Sequence, residues 1–243
     1  MNYNAKNLIV FHFPRYAGGK FVQNCIGLSN NVVFQKQSLA QAQIDGNFSF
    51  EDKKEYILTN LERENITGER GWQDLGLGCW ELFLDGSWKA MGAVFHNQQH
   101  PAINNTVKFL SSEQNDRWMF CINWHADALP KILESEGVAR LFFPNAKIIT
   151  FKNNSKMSRY RCSFLINTDL LTTHQLDHWD EGVILEREAD FTWNTEWLND
   201  VNFTINGLHE LYKLFNLDGW EQAEPFIKEY YYLWCKKNHL PIK

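Results

Sequence analysis

The chain predicts an α/β fold, a doubly wound and mostly parallel sheet flanked by helices, followed by a helical C-terminal part. Three observations predict it. Leu8-Ile9-Val10-Phe11, Trp118-Met119-Phe120-Cys121-Ile122 and Lys147-Ile148-Ile149-Thr150-Phe151 have the continuous apolar character of strands buried on both faces. Each is followed by a segment that reads as helix, and such alternation favours parallel pairing through crossover connections. Residues 195–238 then carry apolar side chains at helical spacing. The 243 residues are read as a single α/β domain, 1–243, with a loop-rich insert at about 68–116 and C-terminal helices over 195–238.

Residues 7–28 open the fold. The apolar, β-branched run from Asn7 predicts a strand, and Pro14-Arg15-Tyr16-Ala17-Gly18-Gly19-Lys20 predicts a short loop with two cations and two glycines. The apolar-periodic segment from Phe21 to Leu28 predicts a helix. This order is the one an anion site requires. The first N–H groups of a helix are unpaired and carry partial positive charge, so a phosphate or sulfate is stabilised there. Glycines allow close backbone approach, and Arg15 and Lys20 supply neutralising charge. The plain alternative is an ordinary βα turn whose glycines only relieve packing. The loop is not a Walker A sequence. Pro14 stands five residues before Gly19 where the first glycine belongs, and Phe21 follows the lysine where a magnesium-binding hydroxyl belongs. A magnesium-dependent nucleoside triphosphatase is therefore disfavoured.

Further along, Ser38–Asp45 and Glu51–Asn65 are expected as helices, the second with Tyr56, Leu58 and Leu61 near one face. Residues 68–116 alternate glycines with Trp72, Trp80 and Trp88 and predict loops with short strands or a hairpin at Leu82–Phe95. Such loops can shape an acceptor site; the plain alternative is that the tryptophans anchor them to the core. Arg117–Trp124 predicts a strand, Ala126–Glu136 a helix, Lys147–Phe151 a strand and Asn153–Cys162 a helix. Thr195–Phe215 predicts a helix with Thr195 as N-cap, and Trp197, Val201, Ile205, Leu208, Leu211 and Phe215 at helical spacings. After a break at Asn216–Gly219, Glu221–Lys237 places Phe226, Ile227, Tyr230, Tyr231 and Trp234 on a stripe read as core packing.

Composition narrows the function. A net charge of −5 argues against broad binding to nucleic acid or an anionic membrane, while leaving room for a local basic pocket. Cys25, Cys79, Cys121, Cys162 and Cys235 are odd in number and widely spaced, as expected of reduced, mostly buried thiols in a cytoplasmic protein. No apolar run reaches the length of a membrane span, so a soluble protein is expected. No clustered ligand set predicts a metal.

The loop Pro14-Arg15-Tyr16-Ala17-Gly18-Gly19-Lys20-Phe21 resembles, without a gap, the Pro-Lys-Thr-Ala/Gly-Gly-Thr-Ser/Thr-Leu/Phe loop of sulfotransferases. In that family the loop binds the 5′-phosphosulfate of 3′-phosphoadenosine-5′-phosphosulfate (PAPS). The resemblance implies a P-loop-like sulfotransferase fold, with Arg15, Tyr16, Ala17, Gly18, Gly19, Lys20 and Phe21 binding that cofactor and Arg15 in place of the family lysine. Gly19 and Lys20 depart from the pattern, replacing two hydroxyl residues. Phe143-Pro144-Asn145-Ala146-Lys147-Ile148-Ile149-Thr150-Phe151-Lys152-Asn153-Asn154 is similar to the family segment Phe-Pro-x-Ala-Lys-Ile-Ile, two or three apolar residues, Arg-Asp/Asn-Pro. There the arginine and a later serine hold the 3′-phosphate. Lys152 takes the arginine position as a point charge without the bidentate fork. The helix after it offers Ser155, Ser158, Arg159 and Arg161 as anion ligands; Ser158 and Arg159 are the two assigned to the cofactor.

Cys121-Ile122-Asn123-Trp124-His125-Ala126-Asp127-Ala128-Leu129-Pro130 resembles the strand-end Lys-Thr-His and Leu-Pro helix start of cytosolic sulfotransferases. The resemblance makes His125 the base that deprotonates the acceptor, with Asn123 where the family has lysine. Imidazole suits that task because it titrates near neutrality, and His12 beside the loop is a competing base. Catalysis would thus fall to His125, Arg15 and Lys20. The closing pattern Leu211–Leu217 and Tyr230–Trp234 resembles the helical ends of sulfotransferase-like proteins, including divergent bacteriophage members, and the Arg-Lys-Gly signature of the cytosolic enzymes is absent. The implied activity is sulfuryl transfer from PAPS to a hydroxyl or amine of a small-molecule or glycan acceptor. The alternatives are a degenerate member kept as a binding or structural protein, such as a phage component, and, more weakly, a nucleotide kinase-like enzyme.

Overall fold

The computed structural model describes residues 3–4, 7–12, 18–32, 34–37, 42–45, 48–63, 80–82, 87–90, 107–110, 118–123, 145–152, 189–238 and 240. After a two-residue β1 (Tyr3–Asn4), β2 (Asn7–His12) lies inside a four-stranded sheet of order β10–β9–β2–β8, formed with β8 (Trp118–Asn123), β9 (Lys147–Lys152) and β10 (Phe191–Asn194). Every pairing in it is parallel. An interior parallel strand has side chains covered on both faces, and Leu8, Ile9, Val10 and Phe11 are all buried. Register sorts them. Val10 lies beside Ile148, and Phe11 beside Ile149. Ile9, Phe11, Ile149, Phe151 and Trp193 share one core with the helices. Leu8, Val10 and Ile148 are buried too; by the strand's period of two, they belong to the opposite face. The three strands expected from the sequence are all present, in a small parallel sheet with helices packed on it.

Helix α1 (Gly19–Gly27) follows β2 and is buried almost throughout, so its apolar and polar residues alike meet protein. Its Phe21 ring stacks on Tyr230 at 5.1 Å and tilts against Trp234 at 4.8 Å. Both partners lie on α4 (Trp220–Lys237), whose predicted stripe Phe226, Ile227, Tyr230, Tyr231 and Trp234 is buried as read. The polar tips of these rings find partners, as buried tyrosines must. Asn24 Nδ2 donates to Tyr230 Oη at 2.9 Å, and Tyr231 Oη donates to the Leu198 carbonyl at 3.0 Å. Tyr212 Oη, on α3 (Val201–Leu214), donates to the Cys25 carbonyl at 2.9 Å.

The α3–α4 turn is tied to the end of α1 by one carboxylate. Asp218 Oδ1 accepts from Ser29 Oγ at 2.8 Å, from Asn30 N at 2.7 Å and from Asn31 N at 3.1 Å. Helix α2 (Phe50–Arg63) joins the same corner, Lys53 being buried with its ammonium donating to the Ser29 carbonyl at 2.5 Å. It begins at a reciprocal cap between Ser49 and Asp52. The expected helix at 51–65 is therefore present, and Tyr56, Leu58 and Leu61 do pack against the core.

Three expectations need correction. The second half of the helix expected at Ser38–Asp45 is a strand: β3 (Phe34–Gln37) pairs antiparallel with β4 (Ala42–Asp45), Phe34 opposite Asp45 and Gln37 opposite Ala42, while residues 38–41 lie outside the described residues. Eight residues of fair helix propensity cannot nucleate a helix unaided, and a neighbouring extended strand offers the backbone partners instead. Thr195 is not the cap of the following helix. Residues Thr195–Asn199 form a 3-10 turn whose cap is Asn194, and Asp200 caps α3 by accepting from Asn202 N at 2.7 Å and Phe203 N at 3.3 Å. Thr195 is buried, and its hydroxyl donates to the Lys152 carbonyl at 3.0 Å, linking β10 to β9. The hairpin expected at 82–95 exists with its first strand displaced toward the N-terminus, β5 (Trp80–Leu82) against β6 (Ser87–Ala90). With β7 (Val107–Leu110) and β1 these strands make a second, mixed sheet of order β1–β7–β6–β5. The expected helices at 126–136 and 153–162 lie outside the described residues.

Candidate functional site

Parallel pairing brings the carboxyl ends of β2, β8 and β9 to one edge of the sheet, where α/β proteins gather ligands. His12, the last residue of β2, stands opposite Asn123, the last of β8, and opposite Thr150 of β9. Lys152 ends β9 opposite Asn194 of β10, and its side chain is exposed. The three segments singled out in the sequence therefore leave adjacent strands at the same edge. Arg15 follows β2 by three positions, His125 follows β8 by two, and Lys152 closes β9.

Between β2 and α1 the chain turns at Gly18, whose φ of 79° is left-handed and which takes the N-cap position of α1. Only glycine adopts this conformation without steric penalty. Among the described residues no side chain caps α1, and its first turn holds no acidic residue. The end of the helix that attracts anions thus carries no competing carboxylate of its own. Lys20 is half-buried in that turn.

Gly18 has a second duty that the sequence did not disclose. A Cβ built there would overlap Leu198 Cδ1 and meet the Trp234 ring at 3.5 Å. The glycine-rich junction is thus packed under the C-terminal helices, and the packing reading holds for this glycine. Phe21, placed by the family resemblance among the cofactor-binding residues, sends its side chain into the core. Its contribution to a bound anion is restricted to the backbone. Arg15, Tyr16, Ala17, His125, Ser158 and Arg159 lie outside the described residues, as do Ser155 and Arg161.

Titratable groups behind the junction are poor candidates for chemistry. Burial pushes the Cys25 thiol well above its ordinary range, and a thiol that does not ionise is a weak nucleophile. Cys235 is likewise a buried free thiol. Burial, and then electrostatic interaction with Cys25 and Asp218 that disfavours a phenolate, raises the Tyr212 phenol well above the usual 10.0, and burial raises Tyr231 as well. These shifts have a sign. An unfolded tyrosine ionises near its ordinary value while the folded one stays protonated, so the contribution to stability is complete below pH 10.0 and is lost as pH rises beyond it. Tyr212→Phe is expected to lose about 1 kcal/mol at neutral pH with its hydrogen bond. The same variant should show a shallower loss of stability at alkaline pH, read from urea midpoints across the tyrosine titration range. An unchanged alkaline slope would contradict the burial of this phenol.

No family model, no curated protein and no solved structure matches this chain. Sequence reasoning missed Gln23, whose side chain is fully buried in α1 with no hydrogen-bond partner among the described residues. A glutamine in an apolar-periodic helix carries no sequence signal that separates this position from a surface one.

Proposed function

We propose that the protein is a sulfotransferase-like enzyme with a doubly wound P-loop-type sheet, moving a sulfuryl group from PAPS to a hydroxyl or amine of a small-molecule or glycan acceptor. The observation that carries the reading is the shared register of β2, β8 and β9, from which the Arg15, His125 and Lys152 segments depart at one sheet edge. The start of α1, with a glycine cap, no acidic residue in its first turn and no capping side chain among the described residues, suits an anion there. The donor supplies an activated sulfuryl group. Arg15, Lys20 and the amides of the loop would hold the 5′-phosphosulfate and stabilise charge on the departing phosphate. Lys152, with Ser158 and Arg159, would hold the 3′-phosphate. His125 would accept the acceptor's proton as the new bond to sulfur forms and the bond from sulfur to the phosphate oxygen breaks.

Titration of the purified protein with adenosine 3′,5′-bisphosphate tests this. Saturable binding is expected, weakened about tenfold to a hundredfold by Arg15→Ala, since a hydrogen-bonded charge pair is lost. Absence of binding by the wild-type protein at millimolar ligand would overturn the assignment. A second reading is a sulfotransferase-fold protein that has lost transfer and serves as a binding or structural component. It is favoured by Gly18, whose missing side chain is already accounted for by Leu198 and Trp234. Under that reading neither the bisphosphate nor PAPS binds.

A further inference from the structure

One five-residue segment touches both the end of β9 and the start of α1. In the 3-10 turn Thr195–Asn199, Thr195 Oγ1 donates to the carbonyl of Lys152, the last residue of β9, at 3.0 Å. Three positions on, Leu198 Cδ1 occupies the space beside Gly18 that a Cβ would take, at the cap of α1. Thr195 and Leu198 are both 0% exposed. The turn is itself held from two helices. Tyr231 Oη of α4 donates to the Leu198 carbonyl at 3.0 Å, and Thr204 Oγ1 of α3 donates to the Trp197 carbonyl at 2.8 Å. Close-packed and hydrogen-bonded on every side, the segment fixes the distance between the two chain ends.

The hydroxyl of Thr195 is the informative group. Packing alone does not call for it, because valine has the same shape and buries without desolvating an oxygen. The two ends of the β9–β10 pair also differ. At the amino end, Asp190 accepts from Lys147 Nζ at 2.9 Å and from Ile148 N at 2.8 Å, in an ion pair that stays partly exposed. At the carboxyl end, beside the candidate site, the clasp is a neutral hydrogen bond from a buried residue to the backbone of Lys152, whose side chain is exposed. Such a bond sets where that side chain leaves the sheet and leaves its charge uncommitted to the clasp.

We propose that Thr195 is a positioning residue: through the Lys152 carbonyl, and with Leu198 seated against Gly18, it sets the spacing between the Lys152 ammonium and the start of α1, and so selects a ligand that carries two anionic groups. That one of those groups is a 3′-phosphate rests on the function proposed above; the brace between β9 and α1 does not.

Thr195→Val keeps the shape and removes the hydroxyl. On the full chain, calorimetric titration compares adenosine 3′,5′-bisphosphate with adenosine 5′-phosphate, which lacks the group assigned to Lys152. The wild type should bind the bisphosphate more tightly. Thr195→Val should narrow that preference by about threefold to tenfold, the reach of one hydrogen bond, and leave the 5′-phosphate affinity unchanged. Thr195→Ser, which keeps the hydroxyl, should restore the preference. In a Lys152→Ala background Thr195→Val should change it no further, because both residues act through one contact. Thr195→Ala also lacks the hydroxyl and takes the place of valine if that variant does not fold. A merely structural hydroxyl would lower the midpoint of thermal unfolding and weaken both nucleotides alike, and that result would overturn the proposal. So would a wild-type preference that Thr195→Val leaves intact, and the sulfotransferase reading then stands. A wild type that binds the two nucleotides equally overturns the positioning role and leaves the start of α1 as a 5′-phosphate site. A wild type that binds neither overturns both readings.

Discussion

Phe21→Ala is expected to destabilise the fold by about 3–5 kcal/mol, the range for deleting a fully buried phenyl ring. Phe21 is 0% exposed and is the contact through which α1 meets three aromatic residues of α4. The Tyr231 ring meets it edge-on at 6.1 Å, completing a cage with Tyr230 and Trp234. Rings held in stacked and edge-on arrangements add to the plain effect of burial, and a cage of stiff aromatic side chains collapses poorly around a hole. Chemical denaturation would measure the loss, with Phe21→Leu as the milder comparison that keeps part of the volume. A loss below about 1 kcal/mol would contradict a core position for this residue. Because Phe21 stands three residues after Gly18, the substitution should also loosen the first turn of α1, and weaker anion binding should accompany the lost stability.

Gly18→Ala should cost about 2–4 kcal/mol from two separate causes. A side chain at a left-handed φ of 79° is strained, and its Cβ would overlap Leu198 Cδ1. Leu198 is itself fully buried, so it moves only by displacing core neighbours. Urea midpoints report the sum, and Leu198→Ala in the same chain separates the causes. Relief of overlap should recover part of the loss, whereas the backbone strain persists. If Gly18→Ala were as stable as the wild type, the left-handed junction between β2 and α1 would be wrong. The anion site proposed at that junction would lose its geometry with it.

How far the sequence could be read follows from what each signal depends on. Strands β2 and β9 were legible because an interior parallel strand is apolar on both faces and leaves a continuous run, as in Leu8–Phe11, and β8 carries a run of the same kind. Helix α4 was legible because one face of an amphipathic helix repeats at a fixed period. The strand β10 was not anticipated: it is four residues long and runs straight into a 3-10 turn, too short to leave a pattern of its own ahead of the helix expected from Thr195. Strand β4, inside the helix expected at 38–45, was misread because Ala and Gln carry helix propensity, and pairing with β3 overrode it.

The same division runs through the candidate site. The order of strand, glycine loop and helix, with Arg15, Lys20, His125 and Lys152 spaced along it, is local information and was present in the chain before any folding was considered. That His12, Asn123 and Lys152 end neighbouring strands at a common edge is non-local, since hydrogen-bond register joins residues more than a hundred positions apart. So are the occupation of Gly18 by Leu198 and Trp234 and the isolation of the Gln23 amide. Propensity and periodicity act within a turn or two of backbone, while burial and polar satisfaction are set by whichever distant segment packs against the residue.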